Sequence, residues 1–309
     1  MRESHRMCSA PHSLSDQFDV PGLSFTVGGG GLTKAVIKTS AASGEIYLQG
    51  AHVTAWQPSG SQPVLWLSGS SYFEKGKPIR GGVPICFPWF GSHASDPSAP
   101  AHGTARIIEW DLVHAQETAE GGMELILQAR IEPFVVDFRV EFGRALTMTL
   151  TTALPVMTSQ AQRFEDALHT YLAVSDIQQV SISGLETARF IDKMDNAAEQ
   201  PAAGEVIRFT AETDRVYLET ESACILSDET SGRRIIVSKA GSRSTVVWNP
   251  WVSKSARMVD FGDQEWRGMV CIETANVGRD LIELLPGQSH ATTAVIEVQD
   301  AGPASTQQH

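Results

Sequence analysis

A two-residue alternation of apolar and polar side chains is the sequence feature that most constrains the fold of this chain. In the segment ALTMTLTTAL, Leu146, Met148, Leu150 and Thr152 alternate with threonines at the intervening positions. Successive residues of a β-strand face opposite sides of a sheet. This period of two therefore predicts a half-buried strand with its apolar side chains on one face.

Similar short runs recur along the chain between clusters of Gly, Pro, Asn and Asp, among them GEIYLQGAHVTAW, GMELILQARIE, QQVSISGL, RRIIVSKA, STVVWNPW and HATTAVIEVQD. A sustained helical period is nearly absent. The segment 253–268 (SKSARMVDFGDQEWRG) is the best candidate for a short helix, and Gly262 interrupts it. Many strands without long intervening helices predict an all-β fold, an antiparallel sandwich or barrel rather than a βαβ fold.

The organisation predicted from the sequence is a single large β domain over residues 18–299. Neither an internal repeat nor a Pro/Ser-rich linker marks a boundary within this range. The first 17 residues lack the apolar core of a secretory signal, and residues 300–309 (DAGPASTQQH) are short and polar. We expect both ends, residues 1–17 and 300–309, to be mobile tails.

The composition and net charge of the chain limit the kinds of molecule that it is expected to bind. The chain has 309 residues, 42% of them hydrophobic and 19% charged, which suffices for a full core. Its net charge of −12 argues against a nucleic-acid partner and against a broad anionic membrane surface. A small anionic ligand would need its own local cations. No apolar run reaches the roughly 18 residues that would predict a transmembrane helix.

The cysteines and glycines argue against several common sites. Cys8, Cys86, Cys224 and Cys271 are scattered, without a CxxC motif, so the spacing predicts no structural zinc site and favours a reduced, cytoplasmic chain. The run GGGG at 28–31 lacks the Lys-Ser/Thr of a phosphate loop and predicts a hairpin turn. The motifs GxSxG and HExxH and an EF-hand loop are missing from the sequence.

A stiff loop with a lone arginine is the first candidate for chemistry. The segment PIRGGVPICFPWFG, residues 78–91, holds three prolines and three glycines in 14 residues and contains Arg80. Arg106 follows in AHGTAR, together with His102, after a flexible segment. Two guanidinium groups that converge can grip a phosphate dianion through paired hydrogen bonds. The alternative is that each arginine pairs with one of the 36 acidic side chains.

Two titratable side chains interrupt predicted strands. His169 lies in EDALHTYLAVSDI on a predicted strand face with Tyr171, and the alternative is an ordinary packing or hydrogen-bonding histidine. Glu273 interrupts the apolar run MVCIETANV and would share a face with Met269 and Cys271. A buried carboxylate costs free energy unless it is paired or used, so Glu273 is a functional candidate. A buried salt bridge or a strand-end cap is the alternative.

Two further segments carry weaker signals. AETDRVYLET places Asp214 at a predicted strand start, where an aspartate is usually a turn residue. WNPW, residues 248–251, adds aromatic area that suits stacking on a sugar ring or, alternatively, packing in the core.

Taken together and in order, these segments resemble a known family. GAHVTAWQP, VLWLS, GKPIRGGVPICFPWFG, HGTAR, ALHTYLAVSDI, VSISGL, FIDK, TDRVY, WNPW, CIETANV and LLPGQS are spread over most of the chain. The chain resembles the glucose-6-phosphate 1-epimerase (hexose-6-phosphate mutarotase) branch of the aldose 1-epimerase superfamily. The resemblance implies a galactose-mutarotase-like β-supersandwich with an open cleft across one sheet.

The resemblance also implies roles for site residues. His169 and Glu273 correspond to the catalytic histidine and glutamate of the family. Arg80, Arg106 and Asp214 correspond to contacts to the sugar or its phosphate, and His102 belongs to the same motif as Arg106. Relatives often carry a polar residue, frequently Gln, where this chain has Ala101, so one hydrogen bond to the substrate is missing or supplied elsewhere. Asp192 of FIDK matches the family pattern, and we expect it to be structural, pairing with Lys193 or a nearby backbone amide.

The implied activity is anomer exchange of a hexose 6-phosphate, glucose 6-phosphate first, by an isomerase that needs no metal and no organic cofactor. Ring opening takes a proton from the C1 hydroxyl and gives one to the ring oxygen. We assign Glu273 as the base and His169 as the acid, with the roles exchanged on closure and Asp166 helping to keep His169 protonated. The alternatives are a non-catalytic sugar or sugar-phosphate binding protein and, ranked last, a glycoside hydrolase, which would need two flanking carboxylates. A monomer is favoured over an oligomer.

Overall fold

The structure is a computed structural model that describes residues 10–300, and strands dominate it as the sequence predicts. Within these residues the two α-helices are α1 (Pro11–Gln17) and α2 (Trp251–Ser255), and short 3₁₀ turns lie at Gly29–Gly31, Ala105–Ile107, Ile177–Gln179, Glu265–Gly268 and Gly278–Asp280. The strands are β1 (Leu23–Val27), β2 (Thr33–Lys38), β3 (Ala42–Tyr47), β4 (His52–Pro58), β5 (Ile85–Cys86), β6 (Asp111–Glu117), β7 (Met123–Ile131), β8 (Phe134–Phe142), β9 (Leu146–Ala153), β10 (Gln162–Phe164), β11 (Asp166–Leu168), β12 (Tyr171–Ala173), β13 (Val180–Ser183), β14 (Phe190–Asp192), β15 (Ala198–Gln200), β16 (Thr213–Tyr217), β17 (Cys224–Asp228), β18 (Arg233–Ala240), β19 (Ser244–Asn249), β20 (Met269–Asn276), β21 (Ile282–Leu284) and β22 (Ser289–Asp300).

One of the two large sheets, the back sheet, is an eight-stranded antiparallel layer in the order β13-β17-β18-β22-β9-β8-β7-β6. Strand β9 carries the alternation found in the sequence, because Leu146, Met148 and Leu150 are fully buried while the intervening threonines are half-buried. The period of two along β9 therefore places its apolar side chains on the core face, as predicted.

The second large sheet, the cleft sheet, carries the candidate site. Its order is β15-β14-β16-β19-β20-β11-β5, and β12 also pairs with β20. Strand β20 lies between β19 on one side and β11 with β12 on the other, and all eight of its residues are buried. Buried apolar residues from both large sheets form one continuous cluster, to which β20 contributes Met269, Val270 and Ile272. The centre of the cleft sheet is therefore rigidly supported.

The two smaller sheets are the four-stranded β1-β2-β3-β4 and the two-stranded β10-β21. The GGGG run forms the turn between β1 and β2, as predicted. Gly30 has a φ of 63°, and a Cβ there would lie 1.4 Å from the carbonyl oxygen of Phe73. Only glycine fits this close approach of two backbones.

The structure corrects the prediction of a tail over residues 1–17. Pro11–Gln17 forms α1, with proline at its first turn, where the missing N–H costs nothing, and with Leu14 only 3% exposed. One apolar side chain thus anchors a segment that is otherwise polar, which the composition did not reveal. Residues 1–9 and 301–309 lie outside the described residues, and β22 extends to Asp300.

The helix predicted over residues 253–268 is also corrected. The chain forms α2, which ends at Ser255, and the separate turn Glu265–Gly268. Between them the N–H of Gly262 donates a 2.8 Å hydrogen bond to the side chain of Glu265. Gly262 lies between the two elements, but α2 ends seven residues before it. Over residues 10–300, no helix is long and apolar enough to cross a bilayer.

Candidate active site

A cleft of about 400 Å³ opens on the cleft sheet, a volume typical of small-molecule sites. Five residues singled out from the sequence line it: Arg80, His102, His169, Asp214 and Glu273. Phe90, Lys193, Trp248, Lys254 and Met258 line it as well. A cavity of about 510 Å³ bordered by the back sheet is lined by three glutamates and Arg144 but by no histidine. The smaller cleft therefore brings together five of the six residues predicted for the site, all except Arg106.

His169 lies in a two-residue break between β11 and β12 rather than inside one continuous strand. Its backbone N–H donates to the carbonyl of Pro84 at 3.1 Å, and the N–H of Tyr171 donates to the carbonyl of Gly82 at 2.9 Å. The stiff Pro/Gly loop thus supplies the hydrogen bonds that a neighbouring strand would otherwise supply. This loop fixes the backbone on both sides of His169.

Aromatic side chains set the orientation of the His169 imidazole. The ring stacks on Tyr171, with centroids 4.8 Å apart and planes 8° apart. Trp248 meets the same ring edge-on at 6.0 Å. Arg80 donates a 2.9 Å hydrogen bond to the Tyr171 hydroxyl, which anchors the stacking partner in turn. The imidazole is therefore packed in one position at the base of the cleft.

Glu273 projects from the middle of β20 toward His169. Its Oε1 atom lies 3.4 Å from Nε2 of His169, and its side chain is 1% exposed. Among the side chains of residues 10–300, neither Oε2 of Glu273 nor Nδ1 of His169 has a hydrogen-bond partner. A buried acid and a buried base lie in contact here, and each has one polar atom without a hydrogen-bond partner. Such a pair can exchange protons with a ligand that contacts both side chains.

Burial controls the protonation of this pair. Desolvation raises the pKa of Glu273 well above its ordinary value, with Lys193 opposing this effect and Asp214 adding to it. Desolvation also lowers the pKa of His169 well below its ordinary value, and the neighbouring His102 and Arg80 groups lower it further. In the ligand-free cleft the pair therefore favours a protonated Glu273 beside a neutral His169.

This protonation corrects the expectation that Asp166 helps to keep His169 protonated. The Asp166 carboxylate accepts hydrogen bonds from Nδ2 of Asn276 at 2.9 Å and from Oγ1 of Thr292 at 2.7 Å. Both Asp166 oxygens therefore accept hydrogen bonds where the cleft sheet meets β22, and neither oxygen is engaged with the imidazole of His169. The histidine has a stacked Tyr171 and neighbouring cations around it, and these surroundings favour its neutral form.

His102 lines the cleft as a neutral group. Burial and then the nearby charges of Arg106 and Lys193 lower the pKa of His102 to about 3. Its Nδ1 atom accepts a 3.3 Å hydrogen bond from the N–H of Gly91, which leaves the proton on Nε2. His102 can therefore donate one hydrogen bond to a ligand without carrying charge.

Two lysines face the cleft that sequence reasoning did not assign to it. Nζ of Lys193 lies 3.3 Å from Asp214, and Nζ of Lys254 lies 3.7 Å from the same carboxylate and 3.2 Å from Glu212. Lys193 also lies over the ring of Phe90, and Lys254 lies over the ring of Trp248. The two ammonium groups thus form a cationic edge in a chain whose net charge is −12.

The Lys193 ammonium was overlooked because its neighbour Asp192 was the expected partner. Asp192 instead pairs with Arg215 at 3.0 Å and accepts a 2.9 Å hydrogen bond from the N–H of Met194. Asp192 is structural, as expected, and the predicted contact to a nearby backbone amide is present, but its cation is Arg215 rather than Lys193. The FIDK motif, which contains Lys193, was the sequence signal that could have indicated this lysine. Because Asp192 pairs with Arg215, Lys193 is free to face the cleft beside Asp214.

The two arginines singled out from the sequence have protein partners. Arg80 pairs with Asp260, with Nη2 and Oδ2 3.1 Å apart, and also donates to Tyr171 while lining the cleft. Arg106 donates a 2.6 Å hydrogen bond from Nη2 to the carbonyl of Ala101 and is not among the cleft-lining residues. Arg80 therefore has an acidic partner and also lines the cleft, and a contact to the substrate or its phosphate from Arg80 or Arg106 stays a prediction.

Arg80→Ala is expected to lower the free energy of unfolding by about 3 kcal/mol, because it leaves the mostly buried carboxylate of Asp260 without its cation. Equilibrium denaturation with urea measures this difference. In the double variant Arg80→Ala/Asp260→Ala the loss should be smaller than in the single variant. A single-variant loss below about 1 kcal/mol, the range of exposed ion pairs, would contradict a buried pair.

Comparison with known proteins adds the family. The family model described as aldose 1-epimerase matches residues 34–297. The chain belongs to the aldose 1-epimerase family. A protein of Escherichia coli (strain K12), provisionally named glucose-6-phosphate 1-epimerase, is 39% identical over 238 residues that cover 74% of this chain and 78% of that protein. The resemblance inferred from the sequence motifs is therefore confirmed.

Solved structures of aldose 1-epimerase relatives have the same architecture. The crystal structure of a Salmonella typhimurium protein, provisionally described as a mutarotase, matches with a TM-score of 0.83 at 31% identity and covers 91% of this chain and 94% of that one. Galactose 1-epimerase from Lactobacillus acidophilus NCFM matches with a TM-score of 0.69 at 14% identity, covering 90% of this chain and 98% of that one. At this lower identity the likeness concerns the fold alone. It confirms the predicted galactose-mutarotase-like architecture.

Proposed function

We propose that this aldose 1-epimerase family member interconverts the α and β anomers of a hexose 6-phosphate, with glucose 6-phosphate as the expected substrate. The observation that carries the proposal is the 3.4 Å contact between His169 and Glu273 at the base of a cleft that also holds Lys193 and Lys254. The relatives provisionally named glucose-6-phosphate 1-epimerase support this choice of substrate. In the proposed chemistry no metal and no organic cofactor take part.

Anomer exchange requires one proton acceptor and one proton donor at the same ring carbon. The His169 and Glu273 pair shares one titratable proton, and the raised pKa of Glu273 beside the lowered pKa of His169 favours the position of this proton on Glu273. From this state, neutral His169 takes the proton of the C1 hydroxyl while Glu273 gives its proton to the ring oxygen. C1–C2 rotation and closure return both protons with the roles exchanged.

The direction of this first transfer is opposite to the one expected from the resemblance, in which Glu273 is the base and His169 the acid. The two assignments differ in which member of the pair holds the proton before opening and therefore in which residue contacts the C1 hydroxyl and which contacts the ring oxygen. Because closure is the reverse of opening on the other face of the aldehyde, the same two groups act as acid and base in either case. The assignment of residues to the reaction is therefore unchanged.

The rest of the cleft suits a phosphorylated sugar. The Trp248 side chain lies beside His169 and offers an aromatic face to the apolar side of a sugar ring. Lys193 and Lys254 offer two ammonium groups for a phosphate dianion, and Asp214 between them offers a hydrogen-bond acceptor for a hydroxyl group. His102 adds one neutral donor. A monomeric state, a cytoplasmic location and the lack of a nucleic-acid partner stay predictions.

Magnetisation exchange at C1 of glucose 6-phosphate, measured by NMR, tests the proposal. We expect the wild-type protein to exchange the two anomers faster than the same buffer without protein. A folded protein that binds glucose 6-phosphate without accelerating exchange would favour the alternative of a non-catalytic binding protein. Cleavage of a glycoside instead of anomer exchange would favour a hydrolase.

A further inference from the structure

A third metal-ligating side chain lies beside the proposed acid–base pair. The donor atoms of His169, Cys271 and Glu273 lie within 4.8 Å of one another, and all three residues are buried. Cys271 lies on the same face of β20 as Glu273, opposite Tyr171 of β12 and Trp248 of β19. The proposed anomer exchange makes no use of this thiol.

The distances within this trio suit a tetrahedral zinc ion. Bond lengths of about 2.0–2.1 Å to imidazole nitrogen, 2.1 Å to a carboxylate oxygen and 2.3 Å to thiolate sulfur place nitrogen and oxygen about 3.4 Å apart and sulfur about 3.6 Å from each. Nε2 of His169 and Oε1 of Glu273 are already 3.4 Å apart. Since all three donor atoms lie within 4.8 Å, the sulfur needs to move by at most about 1.3 Å to reach this geometry.

The chemistry of the donor set also suits zinc. Imidazole and thiolate are the ligands that Zn²⁺ prefers, and a carboxylate is a common third ligand. A thiolate and a carboxylate together balance the charge of the ion, so a buried site carries no uncompensated charge. His169 and Glu273 line the cleft, so an ion can reach two of the three ligands from it, while Cys271 is fully buried.

One feature distinguishes this trio from a site that holds a resident metal. In a resident zinc site, the ring nitrogen of a histidine ligand that does not contact the metal nearly always donates a hydrogen bond to a carboxylate or a carbonyl. In the part of the chain that the structure describes, Nδ1 of His169 has no such partner. Without this support the ion is held less tightly, and substrate can compete with it.

We propose that His169, Cys271 and Glu273 bind a zinc ion reversibly and that the bound ion inhibits the enzyme. Zinc occupies the lone pairs of His169 and Glu273 that proton transfer needs. The Cys271 thiol and the protonated Glu273 carboxyl each release one proton to water as they coordinate, so one bound ion displaces two protons. The binding part of this proposal stands on the geometry of the trio alone. The inhibition part rests on the proposed anomer exchange.

Cobalt spectroscopy tests the binding part without any substrate. Cys8 lies outside the described residues, so the full-length protein carries Cys8→Ser in every sample. Titration with Co²⁺ is expected to produce a thiolate-to-cobalt charge-transfer band, which added Zn²⁺ removes. Cys271→Ser and Cys271→Ala should each lose this band. Cys224→Ser, which changes a buried cysteine of the back sheet, should keep it.

Anomer exchange with and without Zn²⁺ tests the inhibition part. For each protein, the exchange rate with Zn²⁺ is compared with the rate of the same protein without Zn²⁺. We expect Zn²⁺ to inhibit the Cys8→Ser enzyme in competition with glucose 6-phosphate. In Cys271→Ser the concentration of zinc needed for half inhibition should rise about tenfold or more. An absent charge-transfer band, a band that survives Cys271→Ser and Cys271→Ala, or equal zinc inhibition in both enzymes would overturn the proposal. A protein without anomerase activity that still shows the Cys271-dependent band would overturn the proposed function and leave the zinc site standing.

Discussion

Replacing Glu273 with glutamine is expected to lower kcat/KM for glucose 6-phosphate by about a thousand-fold. Glutamine keeps the volume of the side chain and one carbonyl oxygen but cannot transfer a proton, and a positioned acid or base contributes about 10²–10⁴-fold to such a reaction. NMR magnetisation exchange measures the rate. The effect should appear mainly in kcat, because the substituted side chain keeps its size and place in β20.

The partner of Glu273 gives an internal check on this result. His169→Asn should cause a loss of similar size, and the double variant should be no slower than the slower single variant, because the two groups act as one unit. Glu124→Gln is the matched control, since Glu124 is a buried glutamate of the back sheet that pairs with Arg139. Retention of activity within tenfold in a folded Glu273→Gln protein would contradict the acid–base assignment.

The fold could be predicted largely from the sequence because its signals are local. The alternation along β9 depends only on the period of a strand, and the GGGG turn depends only on a backbone that excludes a Cβ at Gly30. Gly262 lies within the break between α2 and the next 3₁₀ turn, but it does not explain why α2 ends at Ser255. The helix α1 escaped prediction because Leu14 is its one buried side chain, and only the tertiary structure shows where Leu14 packs.

The site could be predicted in part because its members interrupt apolar strands. Glu273 was singled out as a carboxylate within a buried run, and the structure places it on the same face as Cys271, as its spacing indicated. The position of His169 was harder to predict, because the break after Leu168 depends on hydrogen bonds that the N–H groups of His169 and Tyr171 donate to the carbonyls of Pro84 and Gly82. Those partners come from a loop more than 80 residues earlier in the chain.

The choice of ion-pair partners could not be predicted from the sequence. Arg80 pairs with Asp260, 180 residues later, and Lys254 reaches Asp214 of β16 from helix α2. Any of the 36 acidic residues was a possible partner for each cation, and periodicity does not discriminate between them. The same limit applies to Cys271 and His169, since only the pairing of β12 with β20 brings the thiol to the imidazole.

Replacing both cleft lysines with methionine is expected to lower kcat/KM for glucose 6-phosphate by about a hundred-fold or more. Each charge-assisted hydrogen bond to a phosphate contributes about 1.5–3 kcal/mol, and methionine keeps the apolar contacts to Phe90 and Trp248 while removing the charge. Exchange of free glucose, which has no phosphate, should change by less than about threefold. Parallel NMR assays of the two sugars measure the difference between Lys193→Met/Lys254→Met and the wild type.

A second cause has to be separated from the lost contacts, because the double variant also leaves the Asp214 carboxylate without its two cations. An unpaired negative charge in the cleft repels a phosphate dianion by itself. Adding Asp214→Asn removes that charge, so a loss that persists in the triple variant comes from the missing ammonium groups. Lys38→Met, at an exposed position of β2, is the matched control and should leave both sugars unaffected. Equal losses of kcat/KM for glucose and for glucose 6-phosphate would instead mean that the lysines contact the sugar ring. Arg80 and Arg106 would then be the candidates for binding the phosphate.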